Sequence, residues 1–227
     1  MKQNETLSNS RTKLPEDLDH VASSYNTPLR PDAFELDDEI KIELIAKHFK
    51  EIMNILGLDL TDDSLSGTPL RVAKMYVEEV FSGLNPANKP EITLFANKFG
   101  YNQMLVEKDI TFYSHCEHHF VPIYGKAHVA YISSGEVIGL SKINRIVQYY
   151  AKRPQVQERL TVQIANGLKE ILKTEDVGVV IDANHMCVSS RGVNDTNSKT
   201  GTAHFSGKFE SEDTKREFLN YINSPSL

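Results

Sequence analysis

Met104-Leu105-Val106-Glu107-Lys108-Asp109-Ile110-Thr111-Phe112-Tyr113-Ser114 alternates along its length and runs without a break into His115-Cys116-Glu117-His118-His119-Phe120. A period of two marks a strand with one buried face, here carrying Ile110 and Phe112 together. The strand therefore ends in three histidines, a glutamate and a cysteine within five consecutive positions. A second, smaller cluster, His185-Met186-Cys187, lies far downstream, and each of the chain's 2 cysteines belongs to one of the two clusters.

Downstream of the first cluster, Gly125 opens another strand, Lys126–Ile132, with Ala127, Val129 and Tyr131 alternating. Ser133-Ser134-Gly135-Glu136 is a turn. A short Val137–Leu140 segment then meets Ser141, a good N-cap for a helix carrying Ile143, Ile146, Val147 and Tyr150. Arg153-Pro154 breaks that helix, and a longer one follows over Gln155–Lys173. Val177–Val188 returns to strand, so Val179, Ile181, Ala183, His185 and Cys187 share one face. A polar loop over Ser189–Gly201, a strand over Thr202–Phe209 and a terminal helix capped by Ser211 complete the chain. The expected body is strand-strand-helix-helix-strand-strand, an α+β arrangement with an antiparallel sheet.

Upstream, the period is 3.6. Asp37 or Asp38 caps a helix running to Leu56, where Gly57 stops it. Thr68 caps a second, with Pro69 in its first turn and Gly83 at its end; Arg71 and Lys74 project from it, which for most such residues means solvated charge. Residues 1–35 are polar and turn-prone, a flexible arm holding at most a short helix over Glu16–Ala22. The expected divisions are thus the arm (1–35), a helical segment (36–100) and the sheet-bearing domain (101–227).

The 227 residues suffice for one well-cored domain with an arm. A formal net charge of -6 gives no reason to expect nucleic acid as a partner, and no apolar run approaches the ~20 residues of a membrane helix. The N-terminus lacks the basic-then-apolar pattern of a secretory signal. The cysteines, each beside histidines, point to a reduced, cytoplasmic setting more than to a disulfide.

Cys116 and His119 stand in Cys-x-x-His spacing, and Cys187 makes a third ligand for one ion, although spacing alone leaves His118 and His119 equal candidates. Structural zinc sites normally show four ligands in regular pairs; three ligands with spare histidines fit a catalytic Zn2+ with an open position. His118 and His185 are then available for proton transfer near neutral pH. Ser141, Lys142 and Arg145 at a helix start, with Arg191 beyond Cys187, form a cationic group fitted to a phosphate chain. Gln157 and Glu158 open the next helix, where a carboxylate can take two N–H bonds from a guanine edge or simply favour the helix dipole. The zinc-deaminase His-x-Glu with Pro-Cys-x-x-Cys is absent, as are HExxH, the Walker loop and GxGxxG.

Cys116-Glu117-His118-His119-Phe120, Gly139-Leu140-Ser141-Lys142-Ile143-Asn144-Arg145, Arg153-Pro154-Gln155-Val156-Gln157-Glu158-Arg159-Leu160, and His185-Met186-Cys187 through Arg191-Gly192 closely resemble GTP cyclohydrolase I. Thr68-Pro69-Leu70-Arg71-Val72-Ala73-Lys74-Met75-Tyr76 extends the likeness, which spans residues 40–222. The resemblance implies the tunnelling fold, with antiparallel sheets pooled into a barrel, and a homodecamer of two pentamers with active sites between subunits. It implies Cys116, His119 and Cys187 as zinc ligands and His118 and His185 as proton carriers. Glu158, with Gln157 nearby, would hold the guanine. Ser141, Lys142, Arg145 and Arg191 would grip the triphosphate, with Arg71 and Lys74 reaching in from a neighbouring chain.

The implied reaction is water attack at C8 of GTP while His185 protonates the imidazole nitrogen, followed by release of formate. Ribose opening with His118 as proton donor and an Amadori rearrangement aided by Ser141 and Lys142 would then give 7,8-dihydroneopterin triphosphate. This would make the chain the entry point to folate or other pterins, with allosteric control open. The alternative of another class is a non-catalytic purine-nucleotide-binding scaffold with a structural zinc.

Overall fold

The computed structural model describes residues 24–224. The expected Glu16–Ala22 helix lies outside them. Helix α1 (Asp38–Ile55) starts after Asp37, whose side chain makes no capping bond, and buries Ile42 and Met53. One turn, α2 (Asp63–Ser66), is capped by the Asp62 side chain, which accepts from the Ser64 N–H. Helix α3 (Thr68–Lys74) begins one residue earlier than expected: Gly67 holds the cap position and Thr68 is already helical. Met75–Val80 then widens into a π-helix, closed where the Phe81 N–H donates to the Tyr76 carbonyl (3.1 Å), so the second helix is not a single α-helix.

A short strand that the sequence pattern did not signal, β1 (Leu94–Ala96), pairs antiparallel with β4 (Glu136–Ile138). The main sheet holds β2 (Met104–Cys116), β3 (Pro122–Ile132), β5 (Pro154–Gln155), β6 (Val177–His185) and β7 (Thr200–Phe205), in the order β5-β2-β3-β6-β7. All neighbours are antiparallel except β5, which runs parallel to β2 for two residues. Helices α4 (Leu140–Ala151) and α5 (Gln157–Leu172) cover one face. Register explains why. Phe112 pairs with Gly125 and Gly125 with Ala183, so Phe112, Ala127, Val129, Val179 and Ile181 share that side with Ile143, Val147, Leu160, Ile164 and Leu168.

Three boundaries move for local reasons. Gly139 is extended and caps α4, so Ser141 is the second helical residue rather than the cap. Pro154 and Gln155 are drawn into the sheet as β5, opposite His115 and Cys116, which delays α5 to Gln157; extended backbone is what proline and its predecessor favour. The last strand ends at Phe205, because Gly207 turns at φ 58° into a 3-10 turn that buries Phe209. Phe209 packs with Phe218 of α7 (Glu212–Asn223) and Met104, Ala130 and Ile132 on the other sheet face, near one end. Among the described residues no helix is long and apolar enough to cross a membrane.

Candidate active site

The two Cys/His clusters meet because β3 sits between the strands that carry them. Ile123, near the start of β3, pairs with Ser114 on one side and with His185 on the other. Between β2 and β3 the chain reverses tightly: the Phe120 N–H donates to the Cys116 carbonyl (2.8 Å) and the Cys116 N–H to the Val121 carbonyl (2.9 Å). Phe120 takes a left-handed φ of 54° to close this turn, a conformation uncommon outside glycine. Its ring packs on Phe81 (5.1 Å between centroids), which itself lies 5.3 Å from Tyr76, so the π-helical segment braces the turn.

Cys187 departs from the expected geometry. Strand β6 stops at His185, and Met186–Ser189 coils into a single helical turn, α6, secured by the Ser190 N–H to the Met186 carbonyl (2.9 Å). His185 and Cys187 therefore do not share a strand face. The turn nevertheless carries Cys187 to Cys116, and ligand atoms of Cys116, His119 and Cys187 all lie within 4.8 Å of one another. Both cysteines are free thiols. His118 and His119 each bring Nδ1 to 3.7 Å from the Cys116 sulfur, but it is His119 that joins Cys187 in the three-residue group. Zinc bonds of ~2.3 Å to sulfur and ~2.0 Å to nitrogen, with tetrahedral angles, put ligand atoms ~3.5 Å apart, so the group can close on one ion with little movement.

Arg191 reaches the same place, its Nη1 donating to His119 Nε2 at 2.8 Å. Glu158 is exposed in the first turn of α5, and its charge draws the His185 pKa upward against the larger, downward effect of burial. Gln157, expected beside the guanine, is instead buried (1% exposed), with His185 Nε2 2.7 Å from its Oε1. Glu117, unassigned from sequence, forms a two-pronged ion pair with Arg159 of α5, whose side chain is 3% exposed. A signal for it was present: Arg159 and Gln163 make a polar row at i, i+4 on a helix face that is otherwise core. Gln163 receives the arm, donating to the Tyr25 carbonyl (2.9 Å), and Arg159 donates to the Ser24 carbonyl (3.2 Å).

Of the cationic group only Arg191 meets the cluster; the helix-start members Ser141, Lys142 and Arg145 are not brought to it within one chain. The far end of α4 leads to Pro154, which pairs with His115, so Ser141 lies about a helix length away, ~18 Å for 12 residues. Ser141 and Arg145 are exposed there, and Lys142 donates to the Glu91 carbonyl (2.6 Å). Arg71 folds back on Ser64 O (3.0 Å) and Thr68 Oγ1 (2.8 Å), while Lys74 is exposed.

Comparison with known proteins bears on this combination of fold and cluster. The family model described as GTP cyclohydrolase I matches residues 45–223. The chain belongs to the GTP cyclohydrolase I family. It is 62% identical over 203 residues to GTP cyclohydrolase 1 of Flavobacterium johnsoniae, covering 89% of this chain and 91% of that one. GTP cyclohydrolase 1 proteins of an Enterobacter species and of Salmonella arizonae are each 56% identical over the same shares. The Cys/His turn, the first turn of α5 and the His185–Arg191 segment all fall inside the matched GTP cyclohydrolase I region.

Proposed function

We infer that the protein converts GTP and water to 7,8-dihydroneopterin triphosphate and formate, the first step of folate and other pterin synthesis. The observation that carries this is the convergence of Cys116, His119 and Cys187 in a member of the GTP cyclohydrolase I family. Two thiolates and an imidazole are a donor set suited to zinc, which when bound supplies the Lewis acidity that activates water at neutral pH.

The chain's own groups do the rest. Glu158 accepts N–H bonds from the guanine edge and fixes the base over the cluster. His185 delivers a proton to the imidazole nitrogen as the five-membered ring opens. His118 serves the ribose oxygen, and Ser141 and Lys142 assist the rearrangement of the opened sugar. Arg191, beside His119, and Arg145 take the triphosphate, with Arg71 and Lys74 entering from a neighbouring chain.

The separation of Ser141, Lys142 and Arg145 from the cluster supports a site completed by a second copy. Among the described residues no strand pairs with the outer edge of β7, nor with β2 before His115. Such edges fit sheets joined from chain to chain, as in the tunnelling barrel and a homodecamer of two pentamers. The partners are then GTP and further copies of the chain, in the cytoplasm, with neither nucleic acid nor membrane involved.

The test is incubation of purified protein with GTP, with metal content assayed in parallel. Formate and, after oxidation, a fluorescent pterin are expected, lost on chelation and restored by zinc. Metal at full occupancy with no formate would favour the nucleotide-binding scaffold.

A further inference from the structure

Gln157 opens α5 and is buried against β6 and β7, and its hydrogen bonds fix which way its side-chain amide faces. Its Nε2 lies 3.1 Å from the Ile181 carbonyl and 2.8 Å from the Thr200 carbonyl. Carbonyls only accept, so the amino end of the amide must face them. The Thr202 hydroxyl oxygen, 3.1 Å away, is a further acceptor within reach of the same two N–H protons. Thr161 spends its proton on the Gln157 backbone carbonyl (2.8 Å), so Thr202 donates to Thr161 (2.7 Å) and keeps a lone pair for Gln157. The oxygen of the amide is thereby turned to His185, whose Nε2 lies 2.7 Å from it.

An amide oxygen cannot donate, so neutral His185 must carry its proton on Nε2. We propose that Gln157 is a positioning residue that locks His185 as the Nε2–H tautomer, leaving Nδ1 as the only ring atom that exchanges protons with substrate. This deepens the reading of His185 as the proton carrier and rests on it. It also assigns the Gln157 side chain to the histidine and not to the guanine, since its polar atoms are taken up inside the protein.

Neutron diffraction from deuterated crystals at slightly alkaline pH reads the tautomer directly and requires no turnover. Deuterium on Nε2 of His185, with Nδ1 bare, is the expected result; deuterium on Nδ1 in the neutral ring overturns the proposal, whatever the substrate proves to be. The kinetic arm uses Gln157→Met, which keeps the volume and removes both polar ends. With zinc content unchanged, kcat should fall ~10-fold or more, part of the ~10²–10⁴ that a positioned proton-transfer group contributes, while KM for GTP stays within about twofold. A raised KM with kcat preserved would return Gln157 to the guanine and sink the positioning role. If Gln157→Met does not fold, the neutron result decides alone.

Discussion

Arg159 of α5 and Glu117 of the Cys/His turn form a part-buried ion pair 42 residues apart in sequence, with two nitrogens of one meeting two oxygens of the other. The pair ties the turn carrying Cys116 and His119 to the helix whose first turn carries Gln157 and Glu158. Removing Glu117 strands the buried Arg159 charge, for which ~3–5 kcal/mol is the upper range of a broken buried pair. Removing Arg159 leaves a partly exposed carboxylate and costs less. Glu117→Gln should therefore lower the melting temperature clearly, and Arg159→Met should do so by less. Replacing both residues together should cost less than the two single changes added, and a strictly additive pair would mean the contact is not made.

Gly83 shows how the helical segment is seated on the sheet domain. Its N–H donates to the Lys152 carbonyl (2.9 Å), and its carbonyl accepts from Arg153 Nε (2.8 Å). A Cβ there would stand 2.0 Å from the Tyr149 carbonyl oxygen and 2.8 Å from that of Lys152, both backbone atoms at the end of α4. Gly83→Ala should cost ~1–3 kcal/mol in denaturant unfolding, through displaced backbone rather than altered φ. Unchanged stability would show that the segment does not lie so close.

The face pattern of β2, β3 and β6 was legible because alternation is local: Ile110 with Phe112, and Val179 with Ile181, need only their neighbours. The Cys116–His119–Cys187 grouping was legible because cysteine is scarce and histidine sits beside it. Cys187 lies beside Cys116 and His119, but a helical turn and not the expected strand alternation delivers it. The partners in Glu117–Arg159 and Gln157–His185 were not legible, although the polar row of Arg159 and Gln163 signalled that something polar meets that face of α5. Both depend on which segments lie against α5, and Gln157 looks like an ordinary first-turn residue until β7 supplies Thr200 and Thr202. Ser141 failed as a cap because Gly139, extended after β4, starts the helix earlier.

His128 gives the fold an acid-sensitive point away from the cluster. It is 4% exposed, and its Nδ1 accepts the Asp109 N–H (3.2 Å) where β2 bulges and Asp109 turns to φ 60°. Burial holds its pKa below the usual histidine value; the carboxylates of Asp109 and Asp182 oppose this, and Lys108 and Lys126 add to it. A depressed folded pKa means stability present above about pH 6.5 and lost as pH falls toward the folded value. Melting temperature should thus drop through the mildly acidic range. His128→Gln, which keeps an acceptor without a titrating ring, should flatten that slope, and an unaltered slope would assign it to other groups.

Cys187 predicts the proton balance of metal loading. Burial first, and the neighbouring Cys116 second, push its thiol up from 9.0 to about 11. In the metal-free protein it is therefore a thiol at neutral pH and must lose its proton to become a ligand. Zinc affinity should tighten about tenfold per pH unit for each proton released. For the metal-free fold the sign is opposite: stability is present below about pH 9 and lost as pH rises toward about 11. Calorimetric zinc titrations in buffers of different ionisation heat count the protons, and a count of zero would mean that Cys187 is already a thiolate.

The distance between Ser141 and the Cys/His cluster makes a prediction about mixtures. Cys187→Ser removes a ligand from one end of the sheet; Lys142→Ala removes a cation from the far end of α4, ~18 Å along the helix. If each site takes its cluster from one chain and Lys142 from another, each variant alone fails at all its sites. A co-assembled mixture contains sites where an intact cluster faces an intact Lys142, and these should release formate. Differently tagged chains, captured through one tag and checked for the other, establish that mixed assemblies formed. Mixed assemblies as inactive as the parent variants would place Lys142 and the cluster in one chain's site, which the path of α4 opposes.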